Sequence, residues 1–277
     1  MGFSKCYHET TTIHAMGKPY SLDITVIKEL SEAQKKFRND VKSEVKAFFI
    51  KHWEDFGDEF FDISLFGSKW LVLVRNQEQL IGVATIHKKI LEGKAFYNFK
   101  TDAIDPKYQV MGLLERMNQI LFRFAYIDNL WSQKSLWFNA IFTTPNLRII
   151  GFFVKHTHAV YPNPYLYDRE KQSLPLPNEK TWKYVQAYNK VDYPPDLPLS
   201  KEACVVEDRL SRWPYNCYEK NGFPYYKDEI VNDFGDHYLA FKEGKQRMFV
   251  VCAFVSPWDV VRYFFTFMKK CFRRIFY

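Results

Sequence analysis

Residues 101–114 read TDAIDPKYQVMGLL, and this stretch decides the fold. The segment before it, about 95–104 (AFYNFKTDAI), is typical of a strand that ends where Pro106 removes a backbone donor. Gly112 then opens a helix of period 3.6, with apolar positions at Leu113, Met117, Ile120, Leu121 and Phe124. A strand that turns through a glycine into a helix presents unpaired backbone N–H groups and the positive end of a helix dipole. The stretch therefore predicts a cradle for an anion such as pyrophosphate.

The segments on either side predict alternating strands and helices. Residues 22–30 (LDITVIKEL) alternate as a strand, and Ser31 with Gln34 forms a capping box for a helix to about Trp53. The other predicted elements are strands at 69–75, 80–90, 95–104 and 135–142, the helix after Gly112, and a helix from Thr144 to about His156. This order predicts an α/β fold with a mixed, mostly antiparallel central sheet and helices on both faces.

The run from Ala103 to Gly112, AIDPKYQVMG, resembles the signature of the GNAT superfamily of acyl-CoA-dependent N-acyltransferases, which reads L-A-V-x-P-x-Y-Q-x-x-G-x-G/A. The element order from about Leu22 to Val160, roughly half of the chain, is similar to that family as well. The resemblance implies an acetyl-CoA, a longer acyl-CoA or an acyl-carrier thioester as donor and an amine as acceptor, without a metal. It also implies donor contacts from the cradle and from the next helix, at Ala103, Ile104, Gln109, Val110, Met111, Gly112, Leu113, Leu114 and Asn146.

Three features depart from the family pattern. Leu114 stands where the family has a small residue, and Phe153 stands where a tyrosine gives a proton to the departing thiolate. The run Cys217–Phe223 (CYEKNGF) resembles the Y-E-K-x-G-F run that normally follows this helix, but it lies much later, either because a long insertion displaced it or by chance. An alternative to the enzyme is therefore a non-catalytic binding or scaffold protein of the same fold.

Amine acylation needs a base that accepts the ammonium proton. His87, late on the second hairpin strand, is the predicted base, because imidazole titrates near neutral pH. The alternative is that His87 points to solvent at a strand end, as Lys88 and Lys89 indicate. Asp102 and Asp105 flank the cradle and are interpreted as loop-capping residues.

The composition limits the class of protein. Among 277 residues 18% are aromatic, which excludes a disordered chain and provides for a large core without disulfides. The net charge is +7, and residues 245–277 hold seven basic residues against the single acid Asp259. The remaining 244 residues are nearly neutral, which argues against a nucleic-acid interface across the main body.

The last residues predict an amphipathic helix from about Ser256 to Tyr277. Its apolar stripe contains Val261, Phe264, Phe265, Met268, Phe272 and Ile275, and its cations are Lys269, Lys270, Arg273 and Arg274. Such a helix suits an anionic membrane surface. The alternative is a helix docked on its own domain.

These patterns divide the chain into four predicted segments: a GNAT-like core (1–160), an arm rich in proline and tyrosine (161–199), an extension whose strands at 237–241 and 248–254 complete the sheet (200–255), and the basic aromatic helix (256–277). Five scattered cysteines without zinc spacing indicate a reducing compartment and no metal. Without a leader or an apolar run of membrane-spanning length, we expect a cytoplasmic protein, with peripheral membrane association left open.

Overall fold

The computed structural model describes residues 6–15, 18–52, 55–111, 113–192, 198–207, 225–240, 243 and 247–263. Its strands are β1 (Cys6–Ala15), β2 (Lys18–Lys28), β3 (Trp70–Asn76), β4 (Gln79–Leu91), β5 (Lys94–Ile104), β6 (Phe138–Thr144), β7 (Ala159–Tyr161), β8 (Val205–Glu207) and β9 (Arg247–Val255). Its α-helices are α1 (Lys35–His52), α2 (Gly57–Phe61), α3 (Leu113–Gln133), α4 (Leu147–His156), α5 (Glu179–Asp192), α6 (Glu229–Leu239) and α7 (residues 257–263).

The chain forms two compact units. The first contains residues 1–89 and 97–128, and the second contains residues 90–96 and 129–277. The boundary falls within β4 and β5, so each of these strands contributes residues to both units.

The first unit is a sheet covered by helices on both faces. Its strand order is β1-β2-β3-β4-β5, and β1 to β4 pair antiparallel. On one face Leu71 and Leu73 of β3 belong to a buried cluster with residues of α1 and α2. On the other face Trp70 stacks against Phe124 of α3, with ring centroids 6.4 Å apart. This two-sided burial explains why β3 is almost continuously apolar.

The second unit is built around β9. This strand pairs antiparallel with β6, where Phe138 lies opposite Val255, and with β7, where Ala159 lies opposite Phe254. The short strand β8 also pairs with β9. Tyr184 and Tyr188 of α5 pack into the buried cluster of this unit. Between β7 and β9 the described part of the chain contributes α5, the short strand β8 and α6.

The predicted fold class, α/β with a mixed, mostly antiparallel sheet, is confirmed. The strands predicted at 69–75, 80–90 and 95–104 correspond to β3, β4 and β5, and the helix after Gly112 corresponds to α3. The division into four segments stays a prediction, and residues 264–277 of the predicted terminal helix lie outside the described residues.

Several element predictions were wrong. The strand predicted at 237–241 is wrong over residues 237–239, because α6 runs on to Leu239. Asp228 caps this helix by accepting a hydrogen bond from the Ile230 backbone N–H (3.0 Å). Residue 241 lies outside the described residues. The capping box at Ser31 does not form, since α1 begins at Lys35. The strand predicted from Ser135 begins at Phe138. The polar strand β1 was not predicted at all.

A close contact in the second unit gives a stability prediction. A methyl group at Gly151 of α4 would lie 2.6 Å from the Tyr226 ring carbon Cδ1. Alanine gains about 1 kcal/mol of helix propensity over glycine, but overpacking costs about 1–3 kcal/mol. We expect Gly151→Ala to destabilise the protein by about 1–2 kcal/mol in urea unfolding. In a Tyr226→Ala background the same change should be neutral or stabilising, and an equal loss in both backgrounds would contradict the steric explanation.

Candidate functional site

The turn after β5 is fixed by one buried carboxylate. Asp105 is 2% exposed, its backbone oxygen accepts a hydrogen bond from the Tyr108 N–H (2.8 Å), and its Oδ1 accepts one from the Lys107 N–H (3.0 Å). Its Oδ2 lies 3.4 Å from Nε2 of His52. Burial lowers the pKa of His52, with Lys51 and Lys107 adding to the effect against the attraction of Asp105. The interpretation of Asp105 as a loop-capping residue is confirmed.

The rest of the turn is a 3-10 segment, Pro106–Met111, that includes Gln109, Val110 and Met111. Asn76 Nδ2 donates a hydrogen bond to the Tyr108 hydroxyl (2.8 Å). Gln109 Nε2 donates to the Ile104 carbonyl oxygen (3.4 Å), so this side chain braces the turn from within. Gly112, which the resemblance places at the centre of the cradle, lies outside the described residues.

Helix α3 follows the turn with its first residue buried and its second exposed. Leu113 is fully buried, whereas Leu114 is 38% exposed. The first N–H groups of a helix have no partner within it, and 21 residues of aligned peptides give this end a positive partial charge. Lys107 adds an exposed cation to the turn, while Glu115 adds an acid to the first helical turn. The arrangement can bind an anion through backbone donors, and its large second residue points outward.

The end of β5 places a carboxylate beside the two cradle residues that it contributes. Ala103 and Ile104 are buried, whereas Asp102 between Thr101 and Ala103 retains solvent contact. Asp102 is not a loop cap as interpreted, because its Oδ2 accepts a hydrogen bond from Asn118 Nδ2 of α3 (3.2 Å). Protein around the other sides of the carboxyl group withholds water and raises the pKa of Asp102 to about 6, against the lowering effect of Asn118. The carboxyl group of Asp102 is therefore a weaker acid than an ordinary aspartate.

His87 lies in the interior of the first unit. The side chain is 2% exposed, and Nε2 is 2.9 Å from the backbone oxygen of Ser64. A methyl group at Gly67 would lie 2.9 Å from the ring carbon Cε1 of His87, so the turn around Ser64 closes over the imidazole. The alternative of a solvent-exposed ring is wrong. The role of His87 as the base stays a prediction, and its burial argues against that role.

Asn146 lies in the second unit, at the start of α4. Its Oδ1 accepts a hydrogen bond from the Arg148 N–H (3.0 Å), and its own N–H donates to Thr144 Oγ1 (3.0 Å). Asn146 is thus an N-cap of α4. Phe153 on the same helix packs against Phe142, with ring centroids 4.8 Å apart, where the resemblance would place a tyrosine.

The residues that follow the run Cys217–Phe223 reach the same helix. Arg148 Nε donates a hydrogen bond to the Tyr225 carbonyl oxygen (3.0 Å), and Tyr226 packs against Gly151. The run itself lies outside the described residues, so its displacement by a long insertion stays a prediction. Its immediate continuation nevertheless contacts the helix that such a run normally follows.

The described part of the chain has neither a metal-ligand cluster nor a membrane-spanning helix. In that part, no group of three or more His, Cys, Asp or Glu residues is arranged to hold a metal ion. No helix there combines the length and apolarity needed to cross a bilayer.

No protein-family model and no curated protein matches the sequence. Among solved structures, Naa50 from Arabidopsis thaliana, in complex with the bisubstrate analogue CoA-Ac-MVNAL, is similar with a TM-score of 0.34 and 12% identity, over 53% of this chain and 91% of that chain. A conserved protein of unknown function from Enterococcus faecalis V583, described as a probable N-acyltransferase, is similar with a TM-score of 0.29 and 14% identity. That match covers 54% of this chain and only 32% of the other. Both similarities extend over about half of this chain, and neither assigns a role to any residue.

Proposed function

We propose that the protein is an N-acyltransferase that moves an acyl group from a CoA or acyl-carrier thioester to an amine. The observation that carries this proposal is the junction in which β5 ends at Ile104, Asp105 fixes the turn, and α3 begins at Leu113. This junction supports phosphate binding because it directs backbone N–H groups and the positive end of a long helix to one place.

The donor would be held by the cradle that the sequence predicts. Backbone N–H groups of residues 110–114 and the cation of Lys107 would face the phosphates, and the N–H groups near Ala103 and Ile104 would face the thioester oxygen. Asn146 belongs to the second unit and uses its side-chain oxygen for the helix cap, so its contact with the donor stays a prediction from the resemblance. When bound, the donor supplies an activated carbonyl carbon.

Asp102 is the base in this proposal. An amine reaches the reaction as an ammonium ion, and the Asp102 carboxylate accepts its proton. The neutral nitrogen would then form a bond to the carbonyl carbon, and the carbon–sulfur bond would break with its electron pair on sulfur. The nitrogen would lose its second proton to water, and the sulfur would take a proton from water, so that the products are a neutral amide and a thiol. Asp102 is favoured over His87 because it retains solvent contact and its pKa is raised to about 6.

The alternative is a protein of the same fold that binds a donor without using it. The identity of Phe153 favours this alternative, because the resemblance implies a proton-donating tyrosine at this position, whereas the Phe153 ring packs against Phe142. Binding of a donor without any turnover of an amine library would identify it.

Binding of the donor is tested by thermal shift with CoA, acetyl-CoA and palmitoyl-CoA. A ligand at 100 times its Kd stabilises the folded state by about 2.7 kcal/mol, which raises Tm by roughly 5 °C or more in a protein of this size. Leu114→Glu should abolish the shift because it places a negative charge beside the phosphates. The same change should not destabilise the unliganded protein, since an acidic residue is favourable in the first turn of a helix.

The matched control is Ile127→Glu, which adds the same charge at an exposed position further along α3. This variant should keep the full shift. Donor binding at the cradle would be contradicted if none of the three donors raised Tm, or if Leu114→Glu showed the same rise in Tm as the native protein.

A further inference from the structure

Three tryptophans of the second unit are strongly exposed. Trp131, Trp137 and Trp258 are 82%, 53% and 72% exposed, and we call them the tryptophan rim. Single exposed apolar side chains are ordinary on a protein surface, but tryptophan is highly buried on average. Three exposed indoles in one unit therefore point to a function.

The strand register places two members of the rim at the same end of the sheet. Phe138 of β6 lies opposite Val255 of β9 in an antiparallel pair. Trp137 directly precedes Phe138, and Trp258 follows Val255 by three residues. Both therefore leave the sheet at this end, in neighbouring chain segments.

A buried amide joins the third member to them. Asn129 is fully buried in the last turns of α3, two residues before Trp131. Its Nδ2 donates hydrogen bonds to the carbonyl oxygens of Ser135 (2.9 Å) and Trp137 (2.8 Å). The segment that carries Trp137 is thus tied to the helix end that carries Trp131.

Hydrogen bonds also fix the start of helix α7, which carries Trp258. Ser256 Oγ accepts a hydrogen bond from the Asp259 N–H (3.1 Å), and Asp259 Oδ2 accepts one from the Ser256 N–H (2.9 Å). This is a capping box. Asp259 is 1% exposed and also pairs with His158, which follows α4. Buried polar groups therefore fix the backbone segments that carry Trp137 and Trp258, and tie the former to the end of α3 that carries Trp131.

The charges around the rim favour one kind of partner. Lys134 lies between Trp131 and Trp137, and Arg262 is exposed on α7. The chain then continues from α7 through residues 264–277, whose sequence holds four cations and no acid. Glu92 is an exposed acid near the end of α3, where Gln133 accepts a hydrogen bond from the Ala95 N–H (3.4 Å). The cations of these segments outnumber the acids, so the segments that carry the tryptophan rim suit a negatively charged partner.

We propose that the tryptophan rim is the docking surface for an anionic lipid membrane. Indole rings prefer the boundary between headgroups and acyl chains, because one part of the ring is apolar and its N–H stays hydrated. Cations beside them add attraction to anionic lipids. The inference does not depend on the proposed acyl transfer, since neither the rim nor its supports belong to the cradle.

Vesicle flotation of the full chain tests this proposal. We expect flotation with vesicles of phosphatidylcholine and phosphatidylserine, much weaker flotation with phosphatidylcholine alone, and a decrease as salt rises from about 0.1 to 0.5 M, roughly the range over which the Debye length falls below 10 Å. The triple variant Trp131→Gln, Trp137→Gln, Trp258→Gln should lose at least about ten-fold in partition coefficient. Bromine-labelled lipids should quench tryptophan fluorescence in the native chain and much less in this variant.

The control carries three glutamines at exposed apolar positions outside the rim, Leu166→Gln, Leu176→Gln and Val191→Gln, and should float like the native chain. Circular dichroism and Tm verify that both variants fold. Flotation of the rim variant at the native level would overturn the proposal and leave the cations as the sole attachment. A native chain that ignores every vesicle but forms dimers that the rim variant does not form would identify a protein interface instead.

Discussion

Replacement of Asp102 by asparagine is expected to lower kcat/KM for amine acylation by about 10²–10⁴-fold, the usual contribution of a general base. The native enzyme should gain activity as pH rises through about 6, where Asp102 loses its proton, and then reach a plateau. Asp102→Asn should lack this rise. Thioester cleavage measured with a panel of amines between about pH 5 and 9 provides the profile.

The folding stability of the native protein should fall as pH rises, whereas its activity rises. The folded protein raises the pKa of Asp102 to about 6 from its ordinary value of 3.8, so ionisation is easier in the unfolded chain. The charged carboxylate therefore makes folding less favourable as pH rises from about 4 through 6. The asparagine side chain has no such penalty, so Asp102→Asn should melt at the same or a higher temperature than the native protein at about pH 8. A variant that loses activity because it unfolds would not show this result.

Two further variants test the assignment of Asp102 as the base: one changes its hydrogen-bond partner and the other removes the second candidate. Asn118→Ala removes the hydrogen bond that lowers the pKa of Asp102, so the rise in activity should move to a pH above 6 while the plateau is retained. His87→Gln tests the other candidate. Full activity in Asp102→Asn together with loss of activity in a folded His87→Gln would reverse the assignment.

The elements that sequence patterns predicted are those whose information is local. Residues 69–75 and 80–90 are apolar runs joined by a short polar segment, and they form β3 and β4. The junction at Asp105 was readable for the same reason, because a proline ends the strand and a carboxylate two residues before Lys107 can cap the turn. Neither feature depends on distant parts of the chain.

The elements that escaped prediction depend on distant partners. Strand β1 (CYHETTTIHA) is polar and is held along β2 by a full ladder, with the Thr10 hydroxyl donating a hydrogen bond to Asp23 Oδ1 (3.1 Å). No apolar alternation marks such a strand. Residues 237–241 look extended by composition, but the apolar spacing of Val231, Phe234 and Tyr238 fits a helix that packs on β9.

The same distinction between local and distant information applies to the candidate site. The cradle stretch was visible in sequence because its residues are contiguous. The environments of the two candidate bases were not, since the cover over His87 comes from Ser64 and the environment of Asp102 includes Asn118. The sequence therefore led to His87 as the predicted base and to Asp102 as a loop cap, because it gave no information about which side chain meets solvent.

Replacement of Phe234 by alanine is expected to destabilise the second unit by about 3–5 kcal/mol, the range measured for buried phenylalanines. Phe234 of α6 is fully buried and stacks on Phe249 of β9, with centroids 4.8 Å apart and rings within 13° of parallel. It also contacts Tyr238 and Tyr167, at 5.1 and 5.8 Å. The space left by the ring is lined by other rings, which cannot collapse into it without leaving their own contacts.

Hydrogen exchange localises this loss. Amides of β9 should exchange faster in Phe234→Ala, whereas amides of β3 in the first unit should keep their protection if the two units open separately. Ile230→Ala is the control on the same helix, because Ile230 is exposed and its truncation should cost less than about 1 kcal/mol. Equal losses in the two variants would contradict the packing role of Phe234, because alanine has a higher helix propensity than either residue that it replaces. A large difference would show that the stacking of Phe234 on Phe249 holds α6 against β9.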